Sequence, residues 1–262
     1  MRWLAVVTAV AALAFAATAN ADDPPPPPPA PPPPLPNPCA PQPACPTPSP
    51  LPEVLSKPGE ISRWAFVLRR VVARRAPDTH SRAVARLRLE TQDGTDELVM
   101  VLARTTDAAG HRWLKVRLPI LPNNSTGWVR EETIGSFHRV RTWLRIDTRH
   151  LRATLVRMDR AVFRARIGVG KHRWPTPKGE FYVRDRLEGF PPNGLYGPLA
   201  FGLNARSSVL TDWPGGGFVG VHGTDQPYLL PGRVSHGCIR MRNKDILRLG
   251  RLMPVGTPVT IS

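Results

Sequence analysis

The sequence predicts a mostly β protein with two folded units, and three observations lead to this fold class. Short apolar runs recur along the chain and are separated by turn residues, which is typical of proteins built from many short strands. Apolar and charged residues alternate between Ala161 and Ile167, which predicts a strand with one buried and one solvent-facing side. One segment near the C-terminus has the spacing of a short amphipathic helix.

The N-terminus reads as a signal peptide over residues 1–21. Arg2 precedes an apolar run from Trp3 to Ala17, and Ala19-Asn20-Ala21 provides a cleavage site of small residues. The run is shorter than the roughly 20 apolar residues that cross a bilayer. Cleavage and export are therefore favoured, with an uncleaved anchor as the alternative, and no transmembrane span is expected after cleavage.

Residues 22–56 form a predicted proline-rich linker. Proline occupies 18 of the 31 positions from 22 to 52, and a segment without these backbone donors cannot form a helix or the interior of a sheet. In polyproline II geometry the segment would be a semi-rigid spacer that reaches on the order of 90 Å. An ordinary disordered tail and a site for a proline-recognising partner are the alternatives.

The chain is strongly basic, with a formal net charge of +16. Arginine supplies 31 of the 36 cationic residues and is scattered along the chain, which argues against a disordered arm that binds nucleic acid. Outside the cytoplasm such a charge favours attraction to an anionic polymer of the cell envelope. A merely solvated surface is the alternative.

The three cysteines are an odd number in an oxidising compartment, so at least one stays unpaired within the monomer. Cys39 and Cys45 are close together in the linker, whereas Cys238 is remote from both. Pairing of Cys39 with Cys45 would leave Cys238 as a free thiol. A stiff proline-rich backbone could hold the two apart, and intermolecular disulfides are the alternative.

The first folded unit, residues 57–135, is predicted to be a small β-barrel. Its apolar runs are Trp64–Leu68, Val71–Ala73, Val84–Leu89, Leu98–Ala103, Trp113–Leu118 and Gly127–Val129. The order Ala76-Pro77, Trp113-Leu114-Lys115-Val116 and Gly127-Trp128-Val129 resembles a bacterial SH3-like domain, and this resemblance implies binding of wall peptides. Trp113 and Trp128 are expected in the barrel core and not on a ligand platform.

The second folded unit, residues 137–262, begins with a predicted β-meander. Its strands are Val140–Ile146, Leu151–Val156 and Ala161–Val169, with Phe181–Val183 and Val259–Ile261 further along the chain. Asn243 is the expected N-cap of the helix, with Asp245 in its first turn and Ile246 and Leu249 on its inner face. Leu252 or Met253 extends that face.

The motif that carries chemistry is Ser235-His236-Gly237-Cys238-Ile239-Arg240, preceded by His222-Gly223. A thiol needs a base or a positive neighbour to become a thiolate near neutral pH. Val219–Val221 reads as a strand that delivers His222, and the loop from Asp225 to Gly232 can return Cys238 to face it. His222 is therefore the candidate base, and His236 is expected on the same side of the backbone as Cys238.

Each of these residues also has an ordinary interpretation. A cysteine after a glycine is usually a small buried apolar residue, and a lone histidine is usually structural. A zinc site made by His222, His236 and Cys238 is a further alternative, although no carboxylate or second cysteine completes it at a matching spacing. No metal and no cofactor are therefore expected.

The same residues closely resemble the signature of the L,D-transpeptidase catalytic domain. Gly168-Val169-Gly170, Thr176–Phe181 and Gly256–Val259 support the resemblance, which covers nearly the whole second unit. It implies a β-sandwich-like domain with one or two short helices, in which Cys238 is the nucleophile and His222 the general base.

The resemblance also implies roles for the neighbours of this pair. The Gly223 carbonyl would orient the imidazole, and the backbone N–H groups of His236, Gly237 and Cys238 would line the oxyanion site. Ser235 and Arg240 would support the loop and bind substrate carboxylates.

The implied activity is cross-linking of peptidoglycan stem peptides in the cell wall or periplasm, through a thioester at Cys238. Water as the acceptor would make the protein an L,D-carboxypeptidase. Two rival functions are a wall-binding protein with an inactive catalytic domain and a cysteine peptidase. Because the signature lies beyond Phe137, residues 57–135 are expected to be dispensable for acylation, and carbapenems are expected to acylate Cys238.

Overall fold

The computed structural model describes residues 51–210 and 216–262. The signal peptide, Cys39, Cys45 and nearly all of the proline-rich segment lie outside the described residues. No helix in the part of the chain that is described is long and apolar enough to cross a membrane.

The first sheet contains eight strands, which confirms the β prediction for this half of the chain. They are β1 (Glu53–Val54), β2 (Ser62–Phe66), β3 (Val71–Arg74), β4 (Ala83–Leu87), β5 (Leu98–Thr106), β6 (Arg112–Arg117), β7 (Thr126–Arg130) and β8 (His138–Val140). The strand order is β4-β3-β7-β6-β5-β2-β8, and β1 pairs with β5. Side chains from β2 to β7 enter one core, so the sheet curls around it. Trp113 and Trp128 are both buried, as expected.

Two strands of this sheet lie outside the predicted limits of the first unit. β1 precedes residue 57, and β8 pairs with β2 although the sequence places Val140 in the meander of the second unit. The apolar pattern does not show where the first sheet ends and the second begins. Val140 is buried, and the next strand starts only two residues later.

The second sheet contains ten strands. They are β9 (Thr142–Asp147), β10 (Arg152–Arg157), β11 (Arg160–Arg166), β12 (Gly168–Gly170), β13 (Gly179–Glu188), β14 (Leu199–Arg206), β15 (Phe218–His222), β16 (Gly232–Ser235), β17 (Ile239–Arg240) and β18 (Pro258–Ile261). Their order is β11-β10-β9-β18-β13-β14-β15-β17-β12-β16. The meander β9-β10-β11 is confirmed, whereas β14 is missing from the sequence prediction.

The helix α1 (Asn243–Gly250) packs Ile246 and Leu249 into the core of the second sheet, as its periodicity predicts. The expected N-cap is wrong. Arg242 occupies the cap position, and Asn243 is the first helical residue. The Asn243 side chain instead accepts a hydrogen bond from the Thr224 N–H at 2.9 Å and donates to the Pro192 carbonyl at 2.9 Å, so it ties together two loops near His222.

The two sheets share a buried interface. Glu97 and Arg184 form an ion pair across it with Nε to Oε1 at 2.7 Å, and their side chains are only 3% and 6% exposed. The Tyr182 hydroxyl donates to the Leu98 carbonyl at 3.2 Å. Trp64 packs with Tyr182 in a separate apolar cluster at this junction. The first sheet therefore forms part of the support of β13.

Candidate active site

His222 is held at the end of β15 in one orientation. The side chain is buried, and its Nδ1 lies 2.6 Å from the Gly223 carbonyl oxygen. Because a carbonyl only accepts, Nδ1 must carry the proton in this contact, which leaves the lone pair on Nε2. The contact is the one that the resemblance implies. A Cβ at position 223 would lie 2.4 Å from Asn243 Oδ1, which explains why glycine follows the histidine.

Cys238 reaches His222 through the pairing of two parallel strands. β17 follows Cys238 directly and pairs with β15, with Val221 opposite Ile239. The Gly220 N–H points at the Cys238 sulfur at 3.5 Å. Cys238 and His222 line one cavity of about 140 Å³. The strand and the return loop that the sequence predicts thus bring the thiol and the imidazole to the same place.

Burial keeps both members of this pair uncharged. It lowers the pKa of His222 from 6.5 to about 4, an effect that the Gly223 carbonyl opposes and the Arg240 charge reinforces. Burial raises the pKa of the Cys238 thiol, and the Gly220 N–H and Arg240 only partly offset this. At neutral pH the resting site therefore holds a thiol and a neutral imidazole, in which Nε2 is free to act as a general base.

The turn before Cys238 is closed by Ser235. Its hydroxyl donates to the Cys238 carbonyl at 2.6 Å and accepts from the Gly237 N–H at 3.1 Å. The Gly237 N–H, which is expected to line the oxyanion site, thus donates to Ser235 in this structure. Gly237 has φ of +121°, a conformation that disfavours any side chain. Ser235 thus supports the loop, as the resemblance implies.

Thr176 anchors the same turn from the opposite side. Its hydroxyl donates to the Gly237 carbonyl at 2.7 Å and accepts from the Gly170 N–H at 2.9 Å. This places the Thr-Pro-Lys-Gly segment directly beneath the Cys238 loop. The motif that begins at Thr176 is visible in the sequence, whereas the hydrogen bonds of Thr176 to Gly170 and Gly237 are visible only in the structure.

Arg240 contributes a buried positive charge to the cavity wall. It is 9% exposed, and its Nε has no hydrogen-bond partner among residues 51–210 and 216–262. A buried guanidinium with an open donor is suited to a carboxylate ligand. The substrate-binding role of Arg240 stays a prediction.

His236 also lines the cavity, but it is not the candidate base. Its ring packs on Trp174 with centroids 4.1 Å apart, and the Arg173 guanidinium lies 3.9 Å from the centroid of the Trp174 ring. Burial, with Lys171 and the arginines nearby, lowers the pKa of His236. His236 is therefore neutral at pH 7.

The zinc alternative lacks a ligand set. In the described ranges, no three His, Cys, Asp or Glu side chains converge in a way that could hold a metal ion. The cavity arrangement of thiol and imidazole is instead that of acyl transfer chemistry.

Comparison with known proteins agrees with this geometry. Residues 141–261 match the model of the YkuD family, described as the L,D-transpeptidase catalytic domain. This part of the chain is an L,D-transpeptidase catalytic domain.

The similarity to individual relatives is confined to this domain. A putative L,D-transpeptidase, YkuD, of Bacillus subtilis is 38% identical over 96 residues, which cover 37% of this chain and 51% of that protein. A probable L,D-transpeptidase, YbiS, of Escherichia coli K12 is 48% identical over 89 residues, covering 32% and 26%. The chain thus spans about half the length of the Bacillus relative.

A solved structure is also similar in this region. The catalytic domain of an Enterococcus faecium L,D-transpeptidase, determined by NMR, has 25% sequence identity and a TM-score of 0.34. The match covers 46% of this chain and 96% of that domain.

The L,D-transpeptidase domain contains one site residue that the sequence does not reveal. The Tyr196 ring contacts His222 edge to face, with centroids 5.0 Å apart, and lines the cavity. Tyr196 lies in the loop between β13 and β14, far from the motif in sequence. A predicted β14 would have been the one signal able to place this loop next to β15.

Proposed function

We propose that this protein is an L,D-transpeptidase of the bacterial cell wall, which cross-links peptidoglycan through a thioester at Cys238. The observation that carries the proposal is the shared cavity of Cys238 and His222, in which the Gly223 carbonyl leaves Nε2 of the imidazole free to accept the thiol proton.

In the acylation step, Cys238 Sγ attacks the carbonyl at the L-centre of the diamino acid in a tetrapeptide stem. His222 Nε2 accepts the thiol proton as the C–S bond forms. The tetrahedral intermediate collapses with cleavage of the C–N bond, and the proton on His222 passes to the departing amine of D-alanine. The products are free D-alanine and a thioester on Cys238.

Charge and backbone donors orient the stem in this step. The open guanidinium of Arg240 binds a stem carboxylate, since it lines the cavity and has a free Nε donor. The backbone N–H groups of the turn from His236 to Cys238 stabilise the oxyanion, as the resemblance implies, and the Gly237 N–H is shared with Ser235.

In the second step, a side-chain amine of a neighbouring stem attacks the thioester and restores the thiol. Water in place of the amine would give an L,D-carboxypeptidase. Leu195, Tyr196 and Phe218 in the cavity wall favour the amine, because an apolar wall limits access of water.

The remaining parts of the chain are proposed to serve this reaction outside the cytoplasm. Residues 1–21 direct export, and residues 22–56 are a spacer. Residues 57–135 are an SH3-like domain that binds wall peptides, and the net charge of +16 attracts the protein to the anionic wall polymer.

The test is mass spectrometry of purified muropeptides incubated with the mature protein, with Cys238→Ala as the inactive reference. Cross-linked dimers that need Cys238 support the proposal. Trimmed tripeptides alone would identify a carboxypeptidase, and no product from the wild type would refute enzymatic function on this substrate.

A carbapenem at millimolar concentration tests the site directly. The intact mass should rise by the mass of the drug, with the adduct on Cys238. His222→Ala should slow acylation by on the order of 100-fold, as expected for a lost general base. His172→Ala, an exposed histidine outside the cavity, is the matched control. An adduct on Cys39 or Cys45 would contradict the assignment.

A further inference from the structure

Cys238 and His222 also lie in the wall of a second cavity. Its volume is about 190 Å³. It shares with the first cavity the residues Tyr196, Phe218, Val219, His222 and Cys238. A transfer reaction with two substrates needs two routes to the thioester, because the donor stem still fills the first cavity when the acceptor arrives.

The wall of the second cavity is completed by the first sheet. Gln92 and Asp93 line it together with residues of the catalytic domain. They belong to a small hairpin in the connection from β4 to β5, which the antiparallel bridge between Glu90 and Asp96 closes. Among the described residues that line this cavity, Asp93 is the only carboxylate. The first cavity carries Arg240 instead, so the two cavities differ in the sign of their fixed charge.

Asp93 lies in the turn of this hairpin, and hydrogen bonds of Thr91 close the turn. Thr91 N–H donates to the Thr95 carbonyl at 2.8 Å, and the Thr91 hydroxyl accepts from the Asp93 N–H at 3.2 Å. Gly94 has φ of +76°, a value that glycine adopts without strain. The position of Asp93 is therefore fixed by the turn itself.

The base of the hairpin is fixed to the catalytic domain. Glu97 forms the buried ion pair with Arg184, and the Leu98 carbonyl accepts from Tyr182. Both partners lie on β13, whose continuation reaches Leu187 in the cavity wall. The interface thus fixes the segment that follows Asp93 to β13 of the catalytic domain.

The electrostatics of this wall favour a cation. The Asp93 carboxylate makes no hydrogen bond or ion pair of its own with residues 51–210 and 216–262. Behind it lies the buried Asp185, whose pKa is raised to about 6 by burial and by the charge of Asp93. Two neighbouring carboxylates without a bound cation repel each other, and an ammonium group near Asp93 would relieve that repulsion.

We propose that Asp93 is a specificity-determining residue that recruits the acyl acceptor in its ammonium form to the second cavity. The inference rests on the proposed function and assigns to the first sheet a direct part in choosing the amine over water. Asp93 binds the acceptor and takes no part in bond making.

After recruitment, His222 and Cys238 account for every proton and bond in the aminolysis of the thioester. The ammonium loses one proton to water, and the neutral amine attacks the thioester carbonyl. Its N–H proton passes to His222 Nε2 as the C–N bond forms. Collapse of the intermediate breaks the C–S bond, and the Cys238 thiolate takes the proton from His222.

The test measures the partition of the acyl-enzyme between amine and water. The full mature chain is incubated with a tetrapeptide stem as donor and an isotopically labelled tripeptide stem with a free side-chain amine as acceptor. Mass spectrometry then counts labelled dimer against hydrolysed donor. Asp93→Asn should raise the acceptor KM about two- to fivefold, the scale of one exposed charge pair, and shift product toward hydrolysis.

Asp96→Asn is the matched control, because Asp96 is an exposed carboxylate of the same hairpin that does not line the cavity. Asp93→Glu should keep most of the wild-type partition. The acceptor KM of the wild type should rise with added salt, and that of Asp93→Asn should rise much less.

The outcomes separate the two proposals. If the wild type forms the acyl-enzyme and Asp93→Asn partitions like the wild type or like Asp96→Asn, this inference is wrong while the proposed function stands. If the wild type forms no acyl-enzyme at Cys238, the proposed function fails, and this inference fails with it.

Discussion

Acylation of Cys238 is expected to persist at pH 5, where an ordinary histidine base would have lost its function. An imidazole with the pKa of about 4 found for His222 is about 90% neutral at pH 5, whereas one with the ordinary value of 6.5 would be only about 3% neutral. The structure therefore predicts a rate at pH 5 close to that at neutral pH. With an unburied histidine as the base, the acylation rate would instead fall by about 25-fold from pH 7 to pH 5.

The assay is the second-order rate constant for acylation by a carbapenem between pH 3.5 and 9, followed by intact mass. The acid limb should have its midpoint near pH 4. A midpoint near 6.5 would show that His222 is not buried as described, or that another group is the base.

The pH profile alone does not identify the resting charge state, because a thiol with a neutral imidazole and a thiolate with an imidazolium give the same dependence. Thiolate absorbance at 240 nm separates them. The difference spectrum of the wild type minus Cys238→Ser at pH 7 should contain no thiolate band, since burial raises the pKa of Cys238 and lowers that of His222. A thiolate band at pH 7 would refute the neutral pair.

Removal of the Arg240 charge should shift the pKa of His222 in a known direction. Its charge lowers the pKa of His222, so Arg240→Met should move the acid limb to higher pH, whatever it does to substrate affinity. Lys244→Met, an exposed cation on α1, is the control and should leave the midpoint unchanged.

Three further predictions test the site and its support. Cys238→Ser should keep the far-UV circular dichroism spectrum of the wild type and form no acyl adduct, because a hydroxyl next to an imidazole is far less ionised than a thiol; an active serine variant would contradict the thiol mechanism. Glu97→Gln should lower the free energy of unfolding by about 3–5 kcal/mol in urea denaturation, because Arg184 would remain buried without its charged partner. An unchanged midpoint would show that the pair is solvated. Thr176→Val should slow carbapenem acylation about tenfold while the protein stays folded, because the turn at Gly237 loses its anchor; an unchanged rate would leave Thr176 without a part in positioning Cys238.

The interface between the sheets argues against the expectation that residues 57–135 are dispensable. Deleting them would expose Tyr182, which is fully buried, and would leave Arg184 without Glu97. The location of the motif in sequence gives no information about which segment buries the far side of β13. Loss of acylation in such a truncation would therefore reflect unfolding, because Asp93 is proposed to act only on the acceptor.

Local patterns were sufficient for most of the strands and for the position of His222 at a strand end. Alternation identified β11, and the run Val219–Val221 identified β15 and thereby placed His222 at a strand end. These features depend on residues close together in sequence, so the chain alone specifies them. The prediction missed β14, which is buried along most of its length and bordered by a loop rich in proline and glycine.

The sequence by itself determined the β class of the protein, the motif around Cys238 and His222, and the inner face of α1. Only the folded structure shows that the pair is uncharged, that the Gly237 N–H donates to Ser235, and that Tyr196 and Asp93 line a cavity with Cys238. The physical reason is that pKa values depend on burial and on charges brought close by folding. The cavity that Asp93 lines with Cys238 brings together segments more than a hundred residues apart, and no local sequence pattern indicates this.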